Sequence, residues 1–280
     1  LNEIEPLMAD ARSNEYGRAD RAALWMLRAK LNLNVEVYIG EDRYSEVIAD
    51  CNNIIAAGYT IEPEYKDLFN ADNHNSDELI FTLPADGVNS QSWGSTTFLV
   101  HGAVGGELMD PAEYGIDGGW EGIRTTNVFV NKFADITGGT DVRANFFTDG
   151  QTLEIEDLRT FTNGYAVPKY TNLTASGNVG SNTTHVDTDY PMFRLGDAYL
   201  MYAEAHLRGG GGDAATALGY VNELRARAYG DATGNITAGQ LTLDFILDER
   251  SRELHWEATR RVDLIRFGQF SENGIWPWKG

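Results

Sequence analysis

Cationic side chains are scarce in this sequence. Its 280 residues carry 22 Lys and Arg against 42 Asp and Glu, a formal net charge of −20. Such a surface repels a phosphate backbone, which excludes nucleic acid as a partner, and it disfavours docking on anionic lipid. Neutral ligands, cations and partner proteins stay compatible with it. Cysteine is nearly absent. Cys51, the single one, excludes an internal disulfide and a Cys-based zinc site. It lies on the apolar series Tyr44, Val47, Ile48, Cys51, Ile55 and reads as a small buried hydrophobe, not a reactive thiol. No run approaches the roughly 20 apolar residues that span a bilayer as a helix. The opening LNEIEPLMAD lacks both the basic and the apolar region of a secretion signal, as a processed chain would too. The five histidines, His74, His101, His185, His206 and His255, show no HExxH or paired spacing, so zinc is not expected. Ser90, Ser92, Ser95 and Ser181 have no nucleophile-elbow context.

What the chain does have is helical periodicity, and 42% hydrophobic residues to fill a core. From Ala19 to Tyr38 the apolar residues fall into two series, Leu24, Leu27, Leu31, Val35 and Ala22, Met26, Ala29, Leu33, Val37. At about 100° per residue these lie on opposite sides of one helix, which predicts a helix sandwiched between neighbours. Asp42 to Ala57 shows a single stripe closed by Gly58, and Gly40 marks the turn between the two. The pattern returns from Phe193 to Leu207, with Phe193, Leu200, Ala203, Leu207 opposite Leu195, Ala198, Tyr202, Ala205. A one-striped helix follows it, opened by Asp213 as N-cap and carrying Ala214, Ala217, Leu218, Val221, Leu224 and Ala228. A doubly buried helix before a singly buried one is the signature of a tetratricopeptide-like pair. The glycine run Gly209 to Gly212 is a turn: a helix precedes it and Asp-Ala-Ala follows, so it lacks a phosphate loop's strand and Lys-Ser/Thr pair.

Between the pairs, residues 77–190 lack sustained periodicity. Short β-prone runs, Glu78 to Leu83 and Tyr165 to Tyr170, alternate with Gly, Asn, Asp and Ser, which predicts loops, short strands and a few helical turns. A last helix is expected from Thr242 to Ala258, then a shorter one over Arg261 to Phe267. The expected fold is therefore mostly α, α+β in detail, with helical pairs at 19–58 and 192–229, an irregular excursion at 77–190 and terminal helices at 242–268, all in one domain over residues 1–280.

Two sets of residues invite a chemical reading. Glu249, Glu253 and Glu257 recur every four residues on one helical side, as acid/base pairs do in glycosidases. Arg250, Arg252, Arg260 and Arg261 are interleaved with them, and arginine neighbours keep carboxylates ionised, which suits ion pairing and opposes a general acid. Glu253 is expected to pair with Arg250 or Arg261. The second set is aromatic: Trp93, Tyr114, Trp120, Tyr165 and Tyr170 stand among Asn, Asp, Gln and Gly in the excursion. An exposed aromatic plane stacks on the apolar face of a neutral sugar while short polar side chains bond its hydroxyls. Trp93, Trp120, Tyr114 and Tyr165 are the candidate ligand residues. Trp93 and Trp120, each beside glycine in a polar stretch, are expected to be exposed. Asp141 or Asp149 offers oxygen ligands for calcium, but no EF-hand spacing is present and no cofactor is required.

Three stretches, in order, resemble signatures of the SusD/RagB family: YGRADRAALWMLRAKLNLNVEVY (Tyr16 to Tyr38), YPMFRLGDAYLMYAEAHLR (Tyr190 to Arg208) and ILDERSRELHWEATRRVDLIRFG (Ile246 to Gly268), with Trp276-Pro-Trp-Lys fitting the family's tryptophan-rich stop. The resemblance implies a non-catalytic nutrient-binding protein of the outer membrane that captures oligosaccharide or polysaccharide and delivers it to a SusC-like TonB-dependent transporter. It further implies a longer parent chain with more helical pairs, surface-exposed and lipid-anchored through an N-terminal cysteine absent from this sequence. Capture of another nutrient such as peptide, a purely protein-binding helical scaffold, and a glycosidase acting through Glu249 and Glu253 are the alternatives.

Overall fold

A computed structural model describes residues 1–271 of the protein; Trp276-Pro-Trp278 lies outside the described residues. In chain order the elements are α1 (Arg21–Ile39), α2 (Tyr44–Ala56), β1 (Leu79–Leu83), α3 (Ser95–Ala103), α4 (Asn127–Val130), β2 (Tyr190–Arg194), α5 (Leu195–Leu207), α6 (Ala214–Tyr229), α7 (Leu243–Glu253) and α8 (Arg260–Arg266). The chain divides into two compact units. One comprises Leu1–Ile61, Asp77–Phe81 and the chain from Met192 onward; the other comprises Glu62–Ser76 and Thr82–Pro191.

The first unit is the helical one. Asp20 caps α1 by accepting from Ala23 N–H, and Gly40 ends it at φ 73° with its N–H on Glu36 O. Asp213 caps α6 through Thr216 N–H. These are the stops the sequence announces, because an Asp oxygen satisfies an orphan N–H and glycine takes the left-handed turn without a Cβ clash. The hairpins α1–α2 and α5–α6 stack directly: α2 packs on α5, α7 on α5, and α8 on α1 and α7. Pairs separated by the excursion thus become neighbours. In α5 every residue from Leu195 to Ala205 is buried, as two opposite stripes require. Cys51 is fully buried on α2, and burial pushes its thiol far above the ordinary range, which makes it inert.

The structure departs from the sequence pattern in four places. In α1 only the side bearing Ala22, Met26, Ala29 and Leu33 is buried throughout; Leu27 and Leu31 are 40% and 47% exposed. Of the leucines in the second stripe, Leu24 alone is buried, at 3% exposure. Phe193 belongs to β2, not to the following helix, and Tyr165 to Tyr170 forms only isolated bridges, Thr125 with Tyr165 and Phe147 with Ala166. The last long helix ends at Glu253 because Trp256 and Ala258 take φ of 57° and 58°, so Glu257 is not on it.

The acidic residues of α7 sit in a buried ion network instead of on a surface. Arg194, at the junction of β2 and α5, donates to Glu78 (2.8 Å), Glu253 (2.8 Å) and Glu257 (2.7 Å). Arg227 of α6 joins Glu78 (3.0 Å) and Glu253. A second group links Arg250 to Asp197 and Asp263 (2.9 Å each), Lys30 to Asp197, and Arg266 to Glu204 (2.7 Å) and Asp263 (2.8 Å). Glu253 therefore pairs with Arg194 and Arg227, not with Arg250 or Arg261. Its partners lie 59 and 26 residues away, beyond anything i, i+4 spacing reveals. Burial alone would raise the Asp197 carboxyl, but Lys30 and Arg250 override it and hold the group well below the usual carboxylate range; Arg250 and Arg266 do the same for Asp263.

Leu200→Asp should cost several kcal/mol, because the residue is fully buried on α5 and an unpaired charge would enter a packed helical interface. Leu27→Ser should stay within about 0.5 kcal/mol of the parent. Thermal melts of the two variants check both.

Acid supplies the next test. A carboxyl depressed in the folded state contributes stability that is complete above its unfolded value, about 3.9 for Asp, and is lost as pH falls through the folded value. The melting temperature should hold steady from pH 7 to about 5 and drop below about pH 4. Asp197→Asn should be less stable at pH 7 and show a shallower acid limb in a melt series.

Candidate functional site

The glutamates of α7 make no catalytic centre. Glu249 and Glu253 are fully buried, and each is tied to two arginines: Glu249 to Arg225 (2.8 Å) and Arg252 (2.7 Å), Glu253 to Arg194 and Arg227. Carboxylates with fixed cationic partners and no access to solvent neither donate a proton nor reach a substrate. Asp141 is likewise committed: its oxygens accept from the backbone N–H, Nε and Nη2 of buried Arg143. Asp149 stands exposed in a turn, and among the described residues no group of three or more His, Cys, Asp or Glu comes together to hold a metal.

The second unit presents an aromatic surface. Its frame is α3, which starts just after Gly94 with Ser95 at φ 53° and carries Phe98 and His101 one turn apart. The segment 118–123 runs back along the end of this helix. Trp120 N–H donates to His101 O (2.8 Å), Glu121 N–H to Val104 O (3.1 Å), and Gly122 and Ile123 N–H both to Gly102 O (3.0 and 2.6 Å). Such an approach requires glycine. A Cβ on Gly119 would lie 2.3 Å from the Val104 carbonyl oxygen, and one on Gly105 2.2 Å from Glu121 Cγ. The glycine beside Trp120 therefore serves backbone packing against α3, a role the sequence alone does not separate from ligand access.

Three large rings emerge from this frame. Trp93 is 61% exposed, Phe98 47% and Trp120 41%. The Trp93 and Trp120 centroids lie 6.0 Å apart with planes at 45°, and Phe98 stands 6.2 Å from Trp120. Each indole also has a histidine against it. His185 is 4.6 Å from Trp93 at 58°, with its Nδ1 3.3 Å from Ser92 O; His101 stacks on Trp120 at 4.9 Å and 21°. Each indole thus sits in a group of rings, a surface that suits a neutral ligand with apolar faces.

Of the four candidate residues, the structure brings Trp93 and Trp120 together. Tyr114 lies elsewhere in the same unit, on the wall of a cavity of about 560 Å³ lined also by Tyr65, Asp67, Phe69 and Lys169. Burial and nearby Glu113 push its phenol up. Tyr165 joins neither group; its backbone accepts from Thr125 N–H in an isolated bridge. Phe98, His101 and His185 were not singled out from the sequence as ligand-site residues. Their only signal is the helical spacing of 98 and 101 within Ser-Thr-Thr-Phe-Leu-Val-His, a short stretch whose β-branched residues and closing glycine mask a helix.

The described chain thus combines a stack of tetratricopeptide-like hairpins with an irregular unit that displays an aromatic surface. The SusD family model matches residues 143–280. The starch-binding protein SusD of Bacteroides thetaiotaomicron is 34% identical, aligning with 100% of this chain and 58% of its own length, and the SusD-like protein P25 of Formosa agariphila is 25% identical over 91% and 51%. Among solved structures, surface glycan-binding protein A from Bacteroides thetaiotaomicron in complex with laminarihexaose gives a TM-score of 0.69 at 24% identity, covering 95% of this chain and 58% of that one. A SusD superfamily protein from Parabacteroides distasonis also gives 0.69, at 23% identity over 91% and 54%. Residues 143–280 thus match the SusD family, and the chain as a whole is similar to SusD proteins in sequence and fold. It spans only a little over half the length of these curated relatives.

Gly119→Ala should lift segment 118–123 off α3, lowering the melting temperature and raising acrylamide quenching of tryptophan. Gly118→Ala, where an added Cβ meets nothing within 4 Å, should do neither. Glu253→Gln should cost about 3 kcal/mol, as loss of one partner in a buried ion network does, and leave hydrolysis of any glycan at background in a reducing-sugar assay.

Proposed function

We propose that this chain supplies the sugar-holding part of a non-catalytic glycan-binding protein, with Trp93, Phe98 and Trp120 as the contact surface. The observation that carries this reading is the cluster of three exposed rings on a backbone frame pinned by main-chain hydrogen bonds. A solvent-facing indole forgoes burial worth roughly 1.5–3 kcal/mol for a side chain of this kind. Clustered apolar rings at a surface mark a binding site. Neutral sugars offer C–H faces for such planes without any charge that the acidic chain would repel or neutralise. Relatives named for starch binding and solved with laminarihexaose make glucans the first ligands to try.

SusD-family proteins are outer-membrane associated. In the full reading the protein faces the cell exterior on a lipid anchor attached upstream of this sequence, and hands its oligosaccharide to a SusC-like TonB-dependent transporter. No bond in the glycan is broken in the process. Tyr114, in its separate cavity, and Tyr165, in its paired segment, take no part in the contact surface.

Affinity electrophoresis against starch, laminarin and a panel of other neutral polysaccharides tests the proposal. One of them should retard the parent protein. Trp93→Ala and Trp120→Ala should each weaken that retardation by 1 kcal/mol or more, with melting temperatures close to the parent's because the rings are exposed. Reducing-sugar release should stay at background throughout. A parent that no glycan retards, or alanine variants held as strongly as the parent, would show that the site is not here.

A further inference from the structure

The sugar-contact reading leaves one residue of the array without a role. His101 is only 1% exposed, so it touches no ligand, yet it meets the Gly118–Trp120 segment in three ways. Its ring lies under the indole, 4.9 Å away and within 21° of parallel. Its Nδ1 is 2.5 Å from Gly118 O, and its own carbonyl accepts the Trp120 N–H at 2.8 Å. We propose that His101 is the positioning residue of Trp120, which holds that indole as a fixed plate for the glycan.

The chemistry of the imidazole separates this role from core filling. A carbonyl only accepts, so the contact with Gly118 places a proton on Nδ1 and leaves Nε2 to find a partner of its own. That Nε2 is buried without a hydrogen-bond partner among the described residues, an unfavourable arrangement that phenylalanine or leucine in the same space would avoid. What histidine adds is a flat ring and an in-plane donor in one side chain. The ring sets the plane of the indole from below, and the donor pins the main chain two residues before it. The other indole has less support. His185 meets Trp93 at a steep 58° and is only half-buried, while Trp93 itself is 61% exposed. Trp120 is thus the preorganised ring and Trp93 the adjustable one. Preorganisation matters because a ring already fixed loses less conformational freedom when ligand binds.

The proposal rests on the sugar-contact reading, and a double-mutant cycle in the intact chain tests it. Calorimetry with maltoheptaose and laminarihexaose on the parent, His101→Ala, Trp120→Ala and the double variant gives the coupling. His101→Ala should weaken binding about tenfold in the parent and change it by less than about twofold in the Trp120→Ala background, since residues acting through one another are not additive. His101→Phe, which keeps the ring, and His101→Asn, which keeps a donor, should each recover part of the loss; they also carry the cycle should the alanine variant fold poorly. An equal loss in both backgrounds would reduce His101 to general packing, and an unchanged affinity would remove its role. A second readout needs no sugar. Acrylamide quenching of Trp120, taken as the difference between each protein and its Trp120→Phe counterpart, should rise in His101→Ala. If neither glucan binds the parent, the cycle is run with the polysaccharide that retards it; if none does, the sugar-contact reading falls while quenching still decides the positioning role: no rise overturns it.

Discussion

The helical unit depends on charges buried where a hydrophobic core is expected. Arg194, with Glu78, Glu253 and Glu257 around it, lies among fully packed helices, and removing such ions from water costs several kcal/mol each before any partner is counted. Geometry offsets that cost: the guanidinium meets three carboxylates and the Glu253 carbonyl, all within 2.9 Å. The positions of the partners show what the cluster does. Glu78 immediately precedes β1, Arg194 ends β2, and Glu253 and Glu257 lie at the end of α7 and just beyond it. A fork of donors matched to specific oxygens fixes register in a way that apolar side chains of similar volume do not.

How much of this was legible follows from the range of each interaction. Helix positions were readable because period, caps and stops are local: Asp20, Gly40 and Asp213 announce their roles within four residues. The doubly buried character of α5 was readable for the same reason. The identical pattern in α1 misled, since a stripe records apolarity and not what lies against it, and Leu27 and Leu31 face solvent. Ion partners were the least legible. Spacing proposes Arg250 for Glu253, whereas Arg194 and Glu78 meet across 116 residues of chain.

In the ring array, exposed tryptophans in polar glycine-containing stretches could be picked out because they lack apolar neighbours in sequence. That Trp93 and Trp120 meet could not, since α3 brings them together and its β-branched sequence hides it. The family model's span makes the same division. Residues 143–280 hold α5 to α8, Arg194 and two of the three carboxylates around it, while Trp93, Phe98 and Trp120 all precede that span. What this chain shares most plainly with its relatives is the frame. Under the sugar-contact reading, the ligand residues lie outside the span that the family model matches.

The pairing of β1 with β2 has a consequence for how such proteins diversify. Because the strand that leaves the helical unit is hydrogen-bonded to the strand that returns, the intervening chain begins and ends side by side. It is an insertion in the architectural sense. Its two ends are held together by that strand pair, so its length and its aromatic display can change while the ends stay in place. Loop-closure entropy grows only with the logarithm of length, so variation there is cheap for stability. One helical chassis can therefore accept many interchangeable recognition cassettes.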